Sequence, residues 1–176
     1  MVIQVGIMTL SDRASSGEYE DRSGPLIRDM VKTHLPGAQI RRQAVVPDDL
    51  ATIKDELIRW CDQDQVDLLL TTGGTGFTPR DVTPEATKAV IEREAPGLAE
   101  AMRAASLRVT PYAMLSRAVA GMRGRTLIVN LPGSPKAVKE NLEVILPALP
   151  HAIALLKEGN GQEVGHSYKK ILDIGD

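Results

Sequence analysis

Leu68 to Leu70, followed closely by Gly73, Gly74 and Gly76, is the stretch that most limits what this chain can become. A short unbroken apolar run is what a strand covered on both faces requires. The glycines let backbone N–H groups approach an anion and accept positive φ without a Cβ clash. Thr83-Pro84-Glu85 then reads as a helix start, with Thr83 as N-cap, Pro84 in the first helical position and Glu85 complementing the helix dipole. A glycine turn between a parallel strand and a helix is where α/β proteins bind phosphates and nucleotides.

The surrounding pattern repeats that arrangement. Val2 to Leu10 reads as a first strand, Gln39 to Val46 as a strand of mixed character nearer the sheet edge, and Val66 to Thr72 as the central strand. Helices are expected over Leu26 to Leu35, Asp49 to Cys61, Pro84 to Glu94 and Leu98 to Leu107. Val109 to Arg125 carries Pro111, Gly121 and Gly124 among scattered apolar residues and fits either an irregular strand or an extended excursion. Thr126 to Leu131 is a clear strand, Ser134-Pro135 starts another helix, and a last helical segment runs to Lys157. The alternation predicts an α/β fold, a single-domain three-layer structure with a mostly parallel central sheet and right-handed crossovers. The domain is expected over residues 1–158, with 159–176 as a C-terminal tail in which Gly159 to Gly165 looks flexible.

A length of 176 residues suggests one domain and is enough for a substantial core. The formal net charge of −2 and the dispersed Lys and Arg give no pull toward nucleic acid or an anionic membrane. Cys61 is the only cysteine, so no intramolecular disulfide forms; it reads as a packed thiol. No apolar run approaches the ~20 residues that span a bilayer, and Met1 to Leu10 lacks the basic leader of a signal peptide. A cytoplasmic location is expected.

Several familiar chemistries are excluded. There is no Gly-Lys-Ser/Thr, so no P-loop, and Gly74-Thr75-Gly76-Phe77-Thr78-Pro79 ends in proline where a dinucleotide fingerprint needs glycine. His34, His151 and His166 are far apart, no zinc spacing occurs, and no nucleophile elbow is present. What remains are carboxylates and glycine turns. Asp48 at the end of one strand and Asp81 beyond the glycine turn would both emerge at the carboxyl edge of a parallel sheet, where two carboxylates suit Mg²⁺. Asp48 or Asp49 could instead cap the helix at Leu50. Gly73, Gly74 and Gly76 fit either a phosphate cradle or a tight structural turn. Gly133 and Ser134 form a second turn at a helix start, suited to an anion or to ordinary capping. Arg80, Arg117 and Lys136 are candidates for phosphate pairing.

The string Thr71-Thr72-Gly73-Gly74-Thr75-Gly76, then Pro79-Arg80-Asp81-Val82-Thr83-Pro84-Glu85-Ala86, resembles the signature of the molybdenum-cofactor biosynthesis fold. That fold is shared by molybdopterin adenylyltransferases and the N-terminal G domain of gephyrin. Leu10-Ser11-Asp12-Arg13-Ala14-Ser15-Ser16-Gly17, Val46-Pro47-Asp48-Asp49 and Asn130-Leu131-Pro132-Gly133-Ser134-Pro135 match in the same order, and the resemblance covers roughly Val5 to Lys157. It implies that Asp48, not Asp49, is the functional aspartate, with Asp81 as its partner in catalysis and metal binding. It also implies a pterin, phosphate and nucleotide pocket built from Ser11, Asp12, Thr72, Gly73, Gly74, Thr75, Gly76, Ser106, Ser116, Pro132, Gly133 and Ser134. The implied reaction is adenylyl transfer from Mg-ATP to the terminal phosphate of molybdopterin, with Mg²⁺ as cofactor. A homotrimer and hand-over of product to a molybdate-insertion protein are the implied partnerships, without nucleic acid or membrane. The alternatives are a non-catalytic pterin-binding or scaffold member of the same fold, and a nucleotide hydrolase of the competence-damage type.

Overall fold

In the computed structural model, residues 1–158 are described; the tail expected over 159–176, including His166, lies outside them. The chain runs β1 (Ile3–Leu10), α1 (Asp12–Ser15), α2 (Ser23–His34), β2 (Ala38–Val46), α3 (Leu50–Asp62), β3 (Leu68–Thr72), α4 (Thr83–Val90), β4 (Arg93–Glu94), α5 (Pro96–Leu107), a 3₁₀ segment (Pro111–Leu115), β5 (Ala120–Arg123), β6 (Thr126–Leu131), α6 (Pro135–Ile145) and α7 (Leu149–Glu158). One six-stranded sheet has the order β2-β1-β3-β6-β5-β4. β2, β1, β3 and β6 are parallel, while β5 and β4 add an antiparallel margin.

Strand alternation sorts the side chains into two cores. Leu68 and Leu70 join Ile3, Val5 and Ile7 on one face, under α2, α5, α6 and α7. Leu69 joins Met8, Leu10 and Ile128 on the other, under Ile53, Leu57 and Trp60 of α3 and Ala86 and Val90 of α4. Three layers follow directly. β2 is an outer strand whose residues alternate between half-buried and exposed, as its mixed composition predicts.

After β1 the Ser11 hydroxyl caps a one-turn helix. Two expectations need correction. The helix predicted to reach Glu94 stops at Val90, and Arg93–Glu94 instead pairs antiparallel with β5. Thr83 does not cap α4: its side chain is fully buried and its hydroxyl donates to the Gly73 carbonyl at 2.9 Å.

The amino ends of the strands are anchored separately. Asp67, just before β3, accepts from the Gln4 N–H and from Lys157 near the end of α7, each at 2.7 Å. No helix among the described residues is long and apolar enough to cross a membrane.

Candidate functional site

Chain order along the sheet reverses between β1 and β3, and ligands of open α/β sheets bind at such a switch point, beyond the carboxyl ends of the strands. Every motif singled out in the sequence arrives at this edge. The loop after β1 brings Ser11 and Asp12, the end of β2 brings Asp48, β3 runs into the glycine turn, and β6 runs into Pro132-Gly133. The loops are knit together. The Gly73 N–H donates to the Leu131 carbonyl at 3.3 Å, the Thr72 hydroxyl to the Pro132 carbonyl at 2.6 Å, and the Ser23 hydroxyl to the Gly133 carbonyl at 2.7 Å.

The two neighbouring aspartates divide their tasks. Asp49 is the N-cap of α3, accepting from the Thr52 N–H at 2.9 Å. Asp48 is left for the crevice. Its Oδ2 accepts from the Asp12 N–H at 2.9 Å, and its own N–H donates to Asp12 Oδ1 at 3.0 Å. Its Oδ1 is buried with no hydrogen-bond partner among the described residues. Burial pushes the Asp48 carboxyl above its ordinary value, and the nearby charges of Asp12 and Asp81 add to the push. An orphaned buried carboxylate oxygen is costly unless something cationic meets it.

The glycine turn lies between the Asp48 and Asp81 carboxylates. A Cβ on Gly74 would overlap Thr83 Oγ1 and sit 3.2 Å from Asp48 Oδ1; a Cβ on Gly76 would sit 3.0 Å from Asp81 Oδ2. Gly73 and Gly74 both have positive φ, 99° and 62°. Asp81 Oδ2 accepts from the Thr78 N–H at 2.7 Å, which holds its loop as a turn. Carboxylate oxygens against a backbone turn are a hard-oxygen donor set, which fits Mg²⁺.

Two clefts flank this turn. One, about 290 Å³, is lined by Thr75, Gly76, Ser106, Ser116, Pro132 and Asn141, among others. The structure therefore joins Ser106 and Ser116, distant in sequence, to the glycine turn. The Ser106 hydroxyl accepts from Asn141 Nδ2 at 3.1 Å. The other cleft, about 430 Å³, holds Asp81, Phe77 and Arg117. A larger cavity, about 820 Å³, lies elsewhere, by the start of β6 and the end of α7, and contains none of the residues the motifs indicate. Ser134 caps α6 through the Ala137 N–H at 3.3 Å, beside Gly133 at the same edge.

The cations differ from one another. Arg80 pairs with both oxygens of Asp12, at 2.9 and 2.8 Å. Arg117 is a strut: its Nε donates to the Gly76 carbonyl at 2.7 Å, and its terminal nitrogens bond the Asp81 carbonyl and Glu85. It is committed to holding the Asp81 loop rather than free for phosphate. Lys136 is mostly exposed and only 3.9 Å from Glu140.

Sequence reasoning missed Asn130 as a support. Fully buried in β6, it donates to the Thr71 and Thr87 hydroxyls, each at 2.9 Å, and accepts from the Val119 N–H at 3.2 Å. A lone amide inside the apolar run of β6 was its available signal.

A family model described as "Probable molybdopterin binding domain" matches residues 6–151. The molybdopterin adenylyltransferase of Helicobacter pylori strain J99 is 45% identical over 162 residues, 92% of either chain. Gephyrin of Dictyostelium discoideum is 46% identical over 173 residues, 94% of this chain and 24% of gephyrin. The crystal structure of the molybdopterin biosynthesis enzyme MoaB from Thermus thermophilus aligns with a TM-score of 0.84 and 50% identity, over 89% of this chain and 98% of that one. With a family model spanning most of its length and relatives this similar, the chain belongs to the molybdopterin-binding family of molybdenum cofactor biosynthesis.

Proposed function

We propose that this protein is a molybdopterin adenylyltransferase, transferring the adenylyl group of ATP to the terminal phosphate of molybdopterin. The observation that carries the reading is the buried, unpartnered Oδ1 of Asp48, in the field of Asp81 and beside a glycine turn with a cleft on either side. The names of relatives such as the Helicobacter pylori enzyme support the same activity.

The chemistry needs no histidine base. A phosphate monoester is largely ionised at pH 7, because its second pKa is near 6. Its oxygen attacks the α-phosphorus of ATP. A new P–O bond forms, the bond to the β-phosphate oxygen breaks, and pyrophosphate leaves with the electron pair; no proton moves. What opposes the reaction is repulsion between polyanions and the entropy of aligning them.

The residues answer those two needs. Asp48 and Asp81 would hold Mg²⁺, which when bound neutralises phosphate charge and polarises the α-phosphorus. Gly74, Thr75 and Gly76 of the turn and the start of α6 after Gly133 and Ser134 would present backbone N–H groups toward phosphate oxygens, while the Gly73 N–H is spent on the Leu131 carbonyl. The cleft with Ser106, Ser116 and Pro132 takes the pterin. Ser11 and Asp12 fix the Asp48 loop, and the Thr72 hydroxyl ties the glycine turn to Pro132.

A homotrimer is part of this reading. Leu107, Val109, Tyr112, Met114 and Leu115, all exposed at the end of α5 and in the 3₁₀ segment, give an apolar patch next to the pterin cleft that a second copy would cover. Release of product to a molybdate-insertion protein would follow from the same face.

Pyrophosphate release from ATP, measured with and without Mg²⁺ and molybdopterin for wild type and Asp81→Asn, tests the proposal. Release that requires all three is expected. Pterin binding without any release would leave a binding module, and release without pterin would indicate a hydrolase.

A further inference from the structure

The short stretch from Ser116 to Val119 is the wall between the two clefts. Ser116 and Ala118 line the one that holds Ser106 and Pro132, while Arg117 between them lines the one that holds Asp81. An extended chain sends successive side chains to opposite sides, so one piece of backbone serves both. It is fixed along its length. Arg103 Nη1 donates to the Ala118 carbonyl at 2.8 Å and to the Ser116 carbonyl at 3.4 Å. The Arg117 N–H donates to the Thr75 carbonyl at 3.0 Å. Buried Asn130 accepts the Val119 N–H and gives its own N–H to the Val119 carbonyl at 3.0 Å.

Asp81 has far less to hold it. Residues 77–80 are exposed. The Thr78 N–H on the Asp81 carboxylate and the Asp81 N–H on the Thr78 carbonyl, at 2.9 Å, both stay inside the turn. Beyond that turn, residues 76–81 are hydrogen-bonded to the rest of the described residues through Arg117 and through the pair of Arg80 with Asp12. The Arg80 pair is exposed on both sides, and exposed ion pairs contribute little. Arg117 supplies the tether: Nε donates to the Gly76 carbonyl, Nη2 to the Asp81 carbonyl and Nη1 to Glu85 of α4. One rigid fork thus closes both ends of the loop against the helix, which a single ammonium could not span.

Resting on the adenylyltransferase reading, we propose that Arg117 is the positioning residue for Asp81, setting its carboxylate opposite Asp48 from the wall that the two clefts share. Its task is geometric: it acts through Asp81 and not by pairing with a phosphate. Losing it lets the loop drift, and a displacement of about 1 Å at a reacting centre can cost roughly a hundredfold in rate.

The test combines hydrogen exchange of the segment 76–82 with steady-state adenylyl transfer, on wild type, Arg117→Ala and Arg117→Lys. In Arg117→Ala the segment should exchange faster while β3 and β6 keep their protection, and kcat should fall roughly a hundredfold with KM for ATP little changed. Sub-denaturing guanidinium should restore both protection and turnover in Arg117→Ala and leave wild type unaffected. Arg117→Lys should be impaired like the alanine variant, although its charge is kept. Unchanged exchange in Arg117→Ala would overturn the proposal. A raised KM for ATP that Arg117→Lys restores would also overturn it, by making Arg117 a phosphate ligand. If wild type transfers no adenylyl group, the adenylyltransferase reading falls; faster exchange in Arg117→Ala then still upholds its hold on Asp81, and unchanged exchange still refutes it.

Discussion

Asp12 and Asp48 hold each other by their backbones: each carboxylate accepts the N–H of the other residue, at 2.9 and 3.0 Å. Two acidic side chains are thereby fixed side by side despite their mutual repulsion, with Arg80 offsetting part of the charge on Asp12. The pair welds the loop after β1 to the end of β2. It leaves Asp48 Oδ1 facing Gly74 without a hydrogen-bond partner among the described residues.

That strain sets a pH dependence. Burial raises the Asp48 carboxyl, so ionising it costs more in the folded than in the unfolded protein. The folded state binds the proton more tightly, and stability therefore falls as pH rises through the window above the usual carboxylate range. Asp48→Asn removes the charge and can still accept the Asp12 N–H. Metal-free, it is expected to melt higher than wild type at pH 7, with the difference closing as pH falls through that window. Thermal melts across pH check this; a lower Tm at neutral pH would refute it. Activity of the wild type should fade on the acid side as Asp48 protonates.

Asp81→Asn keeps the acceptor for the Thr78 N–H but loses the charge. Adenylyl transfer should drop roughly a hundredfold, the scale of one lost electrostatic contact, with little change in Tm. Full activity at saturating ATP would remove Asp81 from the mechanism.

Gly73→Ala should damage the fold as well as the site. Its φ of 99° is unfavourable for any residue with a Cβ, and that Cβ would overlap the backbone carbonyl of Leu10. A loss of at least about 2 kcal/mol is expected in urea titrations.

Asn130→Leu leaves the Val119 N–H, Thr71 and Thr87 without their buried partner. Destabilisation of about 2–4 kcal/mol should follow. Near-wild-type stability would show that the hydroxyl oxygens find other donors and the Val119 N–H another acceptor.

Cys61 should resist alkylation in the native protein. Burial pushes its thiol up to about 11, so almost no thiolate exists at neutral pH. Labelling that appears only as urea unfolds the chain is the expected result; rapid modification of the folded protein would contradict it.

The central layers were legible because burial on both faces writes itself as apolar runs, as in Leu68 to Leu70 and Thr126 to Leu131. The role of Asp49 as a cap was open in the sequence and decided by Thr52. Thr83 misled because Thr-Pro-Glu is good capping chemistry, yet here the glycine turn folds back and takes the hydroxyl. Residues 109–125 were unreadable for a different reason. Their 3₁₀ segment and β5 depend on partners far away in the chain, β6 for the strand and the glycine turn for Arg117. Arg117 looked like a phosphate ligand because charge is visible in a sequence, whereas three acceptors gathered from elsewhere are not.

Lys157 reaches Asp67 and the Val2 carbonyl at the amino ends of the strands. The rim that carries the glycine turn and the end of α7 are thus at opposite poles of the sheet. On the proposed reading, an affinity tag or module fused directly after Glu158 starts out from the pole opposite both clefts and leaves their approach open.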